Sequence, residues 1–427
     1  MQVAPLTFEW VEVRGMIPKD KQFYKFSAYG FLKNLRFFDP FIILFFREMG
    51  MSFLQIGTLF SIREIATNIL EVPTGVVADA YGRRRSMIFS FLSYIISFLI
   101  FYFFPSFWFY ALAMMFFAFG EAFRSGTHKA MILEYLRLKG IEDLKVEYYG
   151  HTRSASQLGS ALSSLIAAAL VFYSGSYRVV FLASVVPYVM ELFLMFSYPK
   201  ELDGELRKTK SANWFKAFLK NFTDTVKAFV RVMKSWETFK TMLNSAVYNS
   251  FHKSVKDYLQ PVLKYTVLSL PILLFLKPDQ RVAIMVGIVY FFIYLLTGYA
   301  SRNAHRVVKR VASLPKSINL TFLVGALLLL AAGGFIQFKL QILSVVLFLG
   351  LYVVMNLRRP MMVAYISDKI SHNVMATGLS VESQIRTLGA AVLAPFVGYL
   401  ADAMGVGYAL MVTGVIMLII SVMLRVR

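Results

Sequence analysis

Residues 75–85 read Gly75-Val-Val-Ala-Asp79-Ala-Tyr-Gly82-Arg83-Arg84-Arg85, closing one long apolar run just before another begins. The glycines let a tight turn form and helices approach closely. Asp79, at a helix end, can accept from the following backbone or from Arg83, or sit against the amino-terminal dipole of a neighbouring helix. The same G-x-x-x-D-x-x-G spacing returns at Gly398-Tyr-Leu-Ala-Asp402-Ala-Met-Gly405. A degenerate third copy, Gly298-Tyr-Ala-Ser-Arg302, puts a base where the acid would be and is followed by Arg306, Lys309 and Arg310. Repetition of this kind is the sequence trace of a membrane carrier assembled from related helix bundles.

Composition points the same way. Of 427 residues 58% are hydrophobic and only 16% charged, more apolar surface than a water-soluble shell of this size can cover. Apolar runs bounded by charge or by Gly and Pro predict twelve spans, near 22–47, 53–78, 86–104, 107–134, 149–173, 177–198, 238–263, 282–300, 317–336, 340–357, 376–400 and 406–424. The chain has no Cys, which excludes disulfides, thiolate metal sites and cysteine nucleophiles. The net charge of +21 reads as the basic side of a bilayer rather than as a nucleic-acid surface. Met1 to Lys21 mixes acids and bases without a clean apolar core, unlike a cleaved signal peptide.

Orientation follows from the distribution of bases. With the amino terminus inside, one inside segment holds ten Lys and Arg between Lys200 and Lys240, and another holds five between Arg302 and Lys316. The outside segments carry only Arg47, Arg178, Lys264, Lys277, Arg281 and Lys339. The positive-inside rule therefore places both termini in the cytoplasm. The long polar stretch divides the chain into a bundle over 1–198, a cytoplasmic linker over 199–237 and a second bundle over 238–427. In the linker Trp214, Phe215, Phe218 and Phe222 recur at helical spacing among Lys216, Lys220 and Lys227, as in an amphipathic helix lying on an anionic leaflet.

These features together resemble the major facilitator superfamily, whose loop between helices two and three carries a G-x-L-a-D-[RK]-x-G-R-[RK]-[RK] signature. Here Gly75, Asp79, Gly82, Arg83, Arg84 and Arg85 match it, while Val77 stands for Leu and Ala80 for the usual base. The resemblance covers nearly the whole chain. It implies an all-α membrane fold of two pseudo-symmetric six-helix bundles, with helices one, four, seven and ten lining a central cavity. It also implies that the Asp79 loop meets the start of helix eleven, near Ala376 and Thr377, and latches the outward-open state. The Gly-Pro signature that many drug antiporters of the superfamily carry in helix five is absent.

Ionisable groups at membrane depth cost about 2.5–3.5 kcal/mol each, so each needs a reason. Asp39, beside Arg36, is the first candidate for proton coupling, with Glu64, Glu121 and Asp257 behind it. Candidate cavity residues are Asn34, Arg36, Arg124, His128, Asn249, Lys253, Lys256, Tyr258, Gln260, Tyr352 and Asn356. Glu71, just before Pro73, reads as a brace for a kinked helix end, and His128 and His252 read equally well as packing residues. Along the first, fourth and seventh spans six bases, with Lys33 and Lys129 among them, face three acids, which favours an anionic cargo. The chain offers no H-E-x-x-H, no G-x-S-x-G and no Walker loop, so no enzyme chemistry, metal or cofactor is expected.

The reading is a monomeric secondary carrier in the plasma (inner) membrane. It moves a small, anionic or amphipathic organic solute by alternating access, with proton-coupled export preferred over import. A membrane receptor or scaffold of the same shape, and a lipid-headgroup flippase, are the alternatives.

Overall fold

The computed structural model describes residues 19–204, 223, 236–311, 313–369 and 372–426, with the side chains of Val72, Gly75, Val76, Asp79, Ala80 and 372–379 left undescribed. Twelve spans cross the fold. The first is broken: α1 (Lys21–Leu32) stops, the chain passes through Asp39–Phe41 as a 3-10 turn, and α2 (Ile42–Glu48) completes the crossing. Then come α3 (Phe53–Tyr81), α4 (Arg83–Phe103), a fourth span broken into α5 (Phe107–Arg124) and α6 (Thr127–Lys139), α7 (Lys145–Ser174) and α8 (Val179–Phe196).

The seventh span is also broken, into α9 (Trp236–Val255), a 3-10 turn at Lys256–Tyr258 and α10 (Leu259–Ser269). It is followed by α11 (Pro278–Arg302), the short α12 (Ala304–Val311), α13 (Leu314–Gln337), α14 (Gln341–Lys369), α15 (His372–Met404) and α16 (Val406–Met423). Among the described residues eight helices are long and apolar enough to cross a bilayer unaided. The spans that fall short are the first, second, fourth and seventh, which carry most of the charges singled out above.

Local chemistry sets the boundaries. Ser52 caps α3 by accepting from the Gln55 N–H, and the Gln55 side chain accepts from the Ser52 N–H in return. The closing glycines of both full repeats carry the turn that the motif asks for: Gly82 at φ 100° joins α3 to α4, and Gly405 at φ 87° joins α15 to α16. A side chain at either position would be strained. Pro40, after Asp39, and Pro261, near the start of α10, stand beside the breaks in the first and seventh spans.

Helices α1 to α8 pack mainly among themselves, as do α9 to α16. The two sets meet along α3 against α15 and along α7 against α11. Their closest approach lies at the end remote from Arg83–Arg85. There a Cβ on Gly57 would fall 2.3 Å from the Ala394 carbonyl oxygen, and one on Gly398 2.3 Å from that of Phe53. On the other seam a Cβ on Gly287 would meet the Ala168 Cβ at 2.4 Å. Such approaches without side chains are how membrane helices gain close van der Waals contact. Toward the basic end α7 and α11 diverge, the nearest atom to a Cβ on Gly298 being the Gln157 Oε1 at 3.7 Å.

The expected linker helix falls almost entirely on 205–235, outside the described residues apart from Thr223. The side chains of Ala376, Thr377 and Asp79 are undescribed too, so the expected latch at the basic end falls on undescribed side chains.

Candidate functional site

Between the two sets of helices lies a cavity of about 260 Å³. The broken first span gives it Arg36 and Asp39, α3 gives Arg63, Glu64 and Thr67, and α5 gives Phe117 and Glu121. Lys253, Lys256 and Asp257 come from the broken seventh span. All four carboxylates named as coupling candidates, which stand far apart in sequence, line this one space. Arg63 and Thr67 were not among the expected lining residues; the Arg63-Glu64 pair in an otherwise apolar run was the signal available.

The charges pair in three groups. Arg36 Nε lies 3.5 Å from Asp39, and its Nη2 lies 3.8 Å from Glu121. Glu121 is held by Arg124 at 2.9 Å and accepts from the Tyr94 hydroxyl at 2.6 Å. Lys256 pairs with Asp257 at 2.6 Å, and Arg63 with Glu64 at 3.1 Å. Glu64 also accepts a short hydrogen bond from the Lys253 ammonium. That contact joins the second span to the seventh and so crosses between the two sets of helices.

Spans one, four and seven give the lining three bases and three acids, since Lys33, Arg124 and Lys129 stay outside it, and span two adds one of each. Four bases now face four acids in the lining, so the surplus of positive charge read along spans one, four and seven is absent from the cavity itself. Lys33 and Lys129 are not part of it.

The remaining candidates lie around this space rather than in it. Gln260 is fully buried and spans the seam, its Nε2 donating to the Asp39 carbonyl at 2.8 Å and its Oε1 accepting from the Ile43 N–H at 2.8 Å. The break in the first span leaves these backbone groups without helical partners, and a side chain from the other set satisfies them. Tyr352 donates to the Lys256 carbonyl at 3.1 Å, and Asn356 to the Tyr352 carbonyl at 3.0 Å. Tyr258 stacks on Phe53, centroids 5.5 Å apart, at the close-packed end. Asn34 donates back to Gly30 at 2.8 Å. Asn249 donates to Ser245 at 2.9 Å and lies 3.4 Å from Glu382, a buried acid that the sequence reading did not single out.

His128 sits deeper in the first set, stacked on Tyr29 with centroids 3.5 Å apart and 3.1 Å from the Tyr198 hydroxyl. His252 is likewise buried, edge-on to Tyr352. Arg358 is buried between the Tyr248 and Phe322 rings and donates to Asn244 and to the Ile318 carbonyl.

Around the motif, Arg83 lies 3.8 Å from Glu134, and Arg84 donates to the Tyr198 carbonyl at 2.8 Å. Asp203 accepts from the Arg84 N–H at 2.7 Å and so closes the start of α4. Arg85 is exposed. The second full repeat is engaged at the opposite end, where Asp402 accepts from the N–H groups of Phe53 and Leu54 at 2.9 and 2.7 Å. It thereby ties α15 to the amino terminus of α3.

A family model described as Major Facilitator Superfamily matches residues 34–383. Among curated proteins, the uncharacterized MFS-type transporter YxaM of Bacillus subtilis (strain 168) is 39% identical over 105 residues, a stretch covering 25% of this chain and 26% of that protein. The crystal structure of the nucleoside transporter NupG superposes with a TM-score of 0.75 at 11% identity, covering 95% of this chain and 98% of that one. A POT family transporter in complex with 5-aminolevulinic acid gives 0.69 at 12% identity, over 94% of this chain and 93% of that one. At such identities the likeness is one of fold alone. The chain belongs to the major facilitator superfamily, and is a multi-pass membrane transporter rather than an enzyme.

Proposed function

We propose that this superfamily member exchanges protons for a small polar solute across the charged cavity by alternating access, in the direction of export. The basic end is taken as cytoplasmic, on the positive-inside distribution of Lys and Arg, with both termini on that side of the plasma (inner) membrane. A single copy of the chain contains the whole pathway. Under that orientation the halves are closed outside and parted inside, which is an inward-facing carrier.

The observation that carries the reading is the ion pair between Lys253 and Glu64, which has one partner on each set of helices. A contact of this kind must break whenever the halves separate. Glu64 then keeps Arg63 but loses its second partner, and a proton or a cationic or hydrogen-bond-donating group of the solute takes that place. Competition of solute and proton for one carboxylate couples them in opposite directions. The equal numbers of acids and bases in the lining favour a solute with both basic and acidic or polar groups over a simple anion.

Reconstitution into vesicles tests this. Solutes that raise the melting temperature of the purified chain are supplied at equal concentration on both sides of the vesicle membrane, and a pH gradient is imposed. Uphill movement of solute against the proton gradient, abolished in Glu64→Gln, is the expected result. Binding without accumulation, as a receptor or scaffold would give, contradicts it.

A further inference from the structure

The degenerate repeat has its own surroundings. Where α7 and α11 diverge toward the basic end they border a second cavity, of about 480 Å³, that shares no lining residue with the charged one. Arg153, Ser154 and Gln157 face it from α7, and Tyr294, Tyr299 and Arg302 from α11. No acid is among its lining residues, and neither guanidinium has an acidic partner among the described residues. Further positive charge stands nearby: Arg359 lies within electrostatic reach of Arg153 and Arg386. The acid on that side, Glu382, is engaged by Arg386 at 3.5 Å.

Apolar side chains also border this cavity. Leu158, Leu295 and Tyr299 are 57, 50 and 62% exposed and line the same cavity. Arg153, Ser154 and Arg302 are exposed as well, so charged and apolar side chains stand together at the mouth of this cavity, on adjoining turns near the helix ends. That level of a membrane protein faces the headgroup boundary rather than the hydrocarbon midplane. The contrast with the full repeat is chemical: Asp402 can accept from a helix amino terminus, whereas Arg302 in the equivalent position can only donate. Two unpaired guanidinium forks are suited to an oxyanion, which each can bind in bidentate fashion.

We propose that this cavity is an anion site outside the transport pocket, and that its ligand is a phosphate-type oxyanion. The Arg153 and Arg302 guanidinia bind the oxyanion, and an attached apolar chain lies on Leu158 and Leu295. A bilayer phospholipid headgroup and a free phosphate both offer this chemistry. The inference does not depend on the identity of the solute or on the coupling in the charged cavity.

The test uses the purified full chain with three probes: phosphatidylglycerol, phosphatidylcholine and inorganic phosphate. Retained lipids are counted by native mass spectrometry, and phosphate binding is measured by calorimetry. The wild-type chain is expected to retain phosphatidylglycerol over phosphatidylcholine, without displacement by phosphate, if the source is lipid, or to bind inorganic phosphate directly if it is soluble. In either case the double variant Arg153→Gln/Arg302→Gln should lose about tenfold in affinity for that probe, as expected for removing a charge-assisted contact. Both positions are exposed, so the fold should persist, and an unchanged melting temperature verifies it. Lys309→Gln/Arg310→Gln removes the same charge from the exposed face of α12 and should leave binding unchanged. Equal losses in the two double variants, no loss in the first, or a wild-type chain that neither prefers the anionic lipid nor binds phosphate would overturn the proposal.

Discussion

The ammonium of Lys253, on the seventh span, donates to the carboxylate of Glu64, on the second, while Arg63 holds the same carboxylate from the adjacent position. Glu64 is thus shared between a partner that moves with it and one that belongs to the other half. Removing Glu64 leaves both Lys253 and Arg63 without their counter-charge, and removing Lys253 leaves Glu64 with Arg63 alone. Glu64→Gln and Lys253→Gln should each cost about 2 kcal/mol, less than for a fully buried pair because Lys253 is 38% exposed. The double variant should recover part of that loss. Thermal melts of the purified variants measure the coupling, and strictly additive losses would mean that the pair contributes nothing as a pair.

Asp39 stands at the break of the first span, 3.5 Å from Arg36, with its backbone carbonyl held by Gln260 from the other half. Asp39→Asn keeps the size and most of the hydrogen bonding but removes the titrating group. Flux driven by a pH gradient should be lost while expression and melting temperature are retained. Fully retained coupling would remove Asp39 from the proton path and leave it as a structural partner of Arg36.

The end remote from Arg83–Arg85 is held shut by Asp402 on the Phe53 and Leu54 amides and by the glycine contacts beside it. Asp402→Ala should weaken this closed form by about 1–2 kcal/mol, shifting the ratio of open to closed roughly 5–30-fold. Gly398→Val should go further, since its Cβ would lie 2.3 Å from the Phe53 carbonyl oxygen. Because the chain contains no Cys, a single Ile56→Cys, buried and next to Gly57, gives a clean thiol-labelling readout. Faster labelling in both variants is expected. Rates equal to those of the parent would show that these contacts do not govern closure.

His128→Phe tests the opposite kind of assignment. The ring can still stack on Tyr29, and only the contact with the Tyr198 hydroxyl at 3.1 Å is lost. A stability loss of about 1 kcal/mol is expected, with pH-driven flux within about twofold of the parent. Loss of flux at normal stability would place His128 in a proton relay.

Much of this was legible in the sequence, for identifiable reasons. Apolar runs of bilayer length fix the spans whatever they pack against, and Gly82 and Gly405 could be read as turns because the backbone there requires a positive φ. The costly charges could be located for the same reason that they are rare. Their pairing could not be read: Glu64 and Lys253 are 189 positions apart, and only the folding of the two halves against each other brings them together. The breaks in the first and seventh spans were also missed, since Lys33 to Asp39 and Lys253 to Asp257 read as polar helix rather than as interruptions. Nor could the sequence foretell that α3 would add Arg63 and Glu64 to the lining, or that Lys33, Arg124 and Lys129 would stay out of it, which removes the expected positive surplus.

The pairing of Glu64 with Lys253 as the switch between states can be tested without knowing the solute. Spin labels at Leu54 and Tyr399, both exposed near the closed end, report by pulsed electron resonance how far α3 and α15 stand apart there. In the parent chain the account predicts short distances at high pH and a growing long-distance population on acidification. Glu64→Gln, which mimics the protonated carboxyl, should show the long population at every pH. A single short distance, independent of pH and unchanged in the variant, would contradict it.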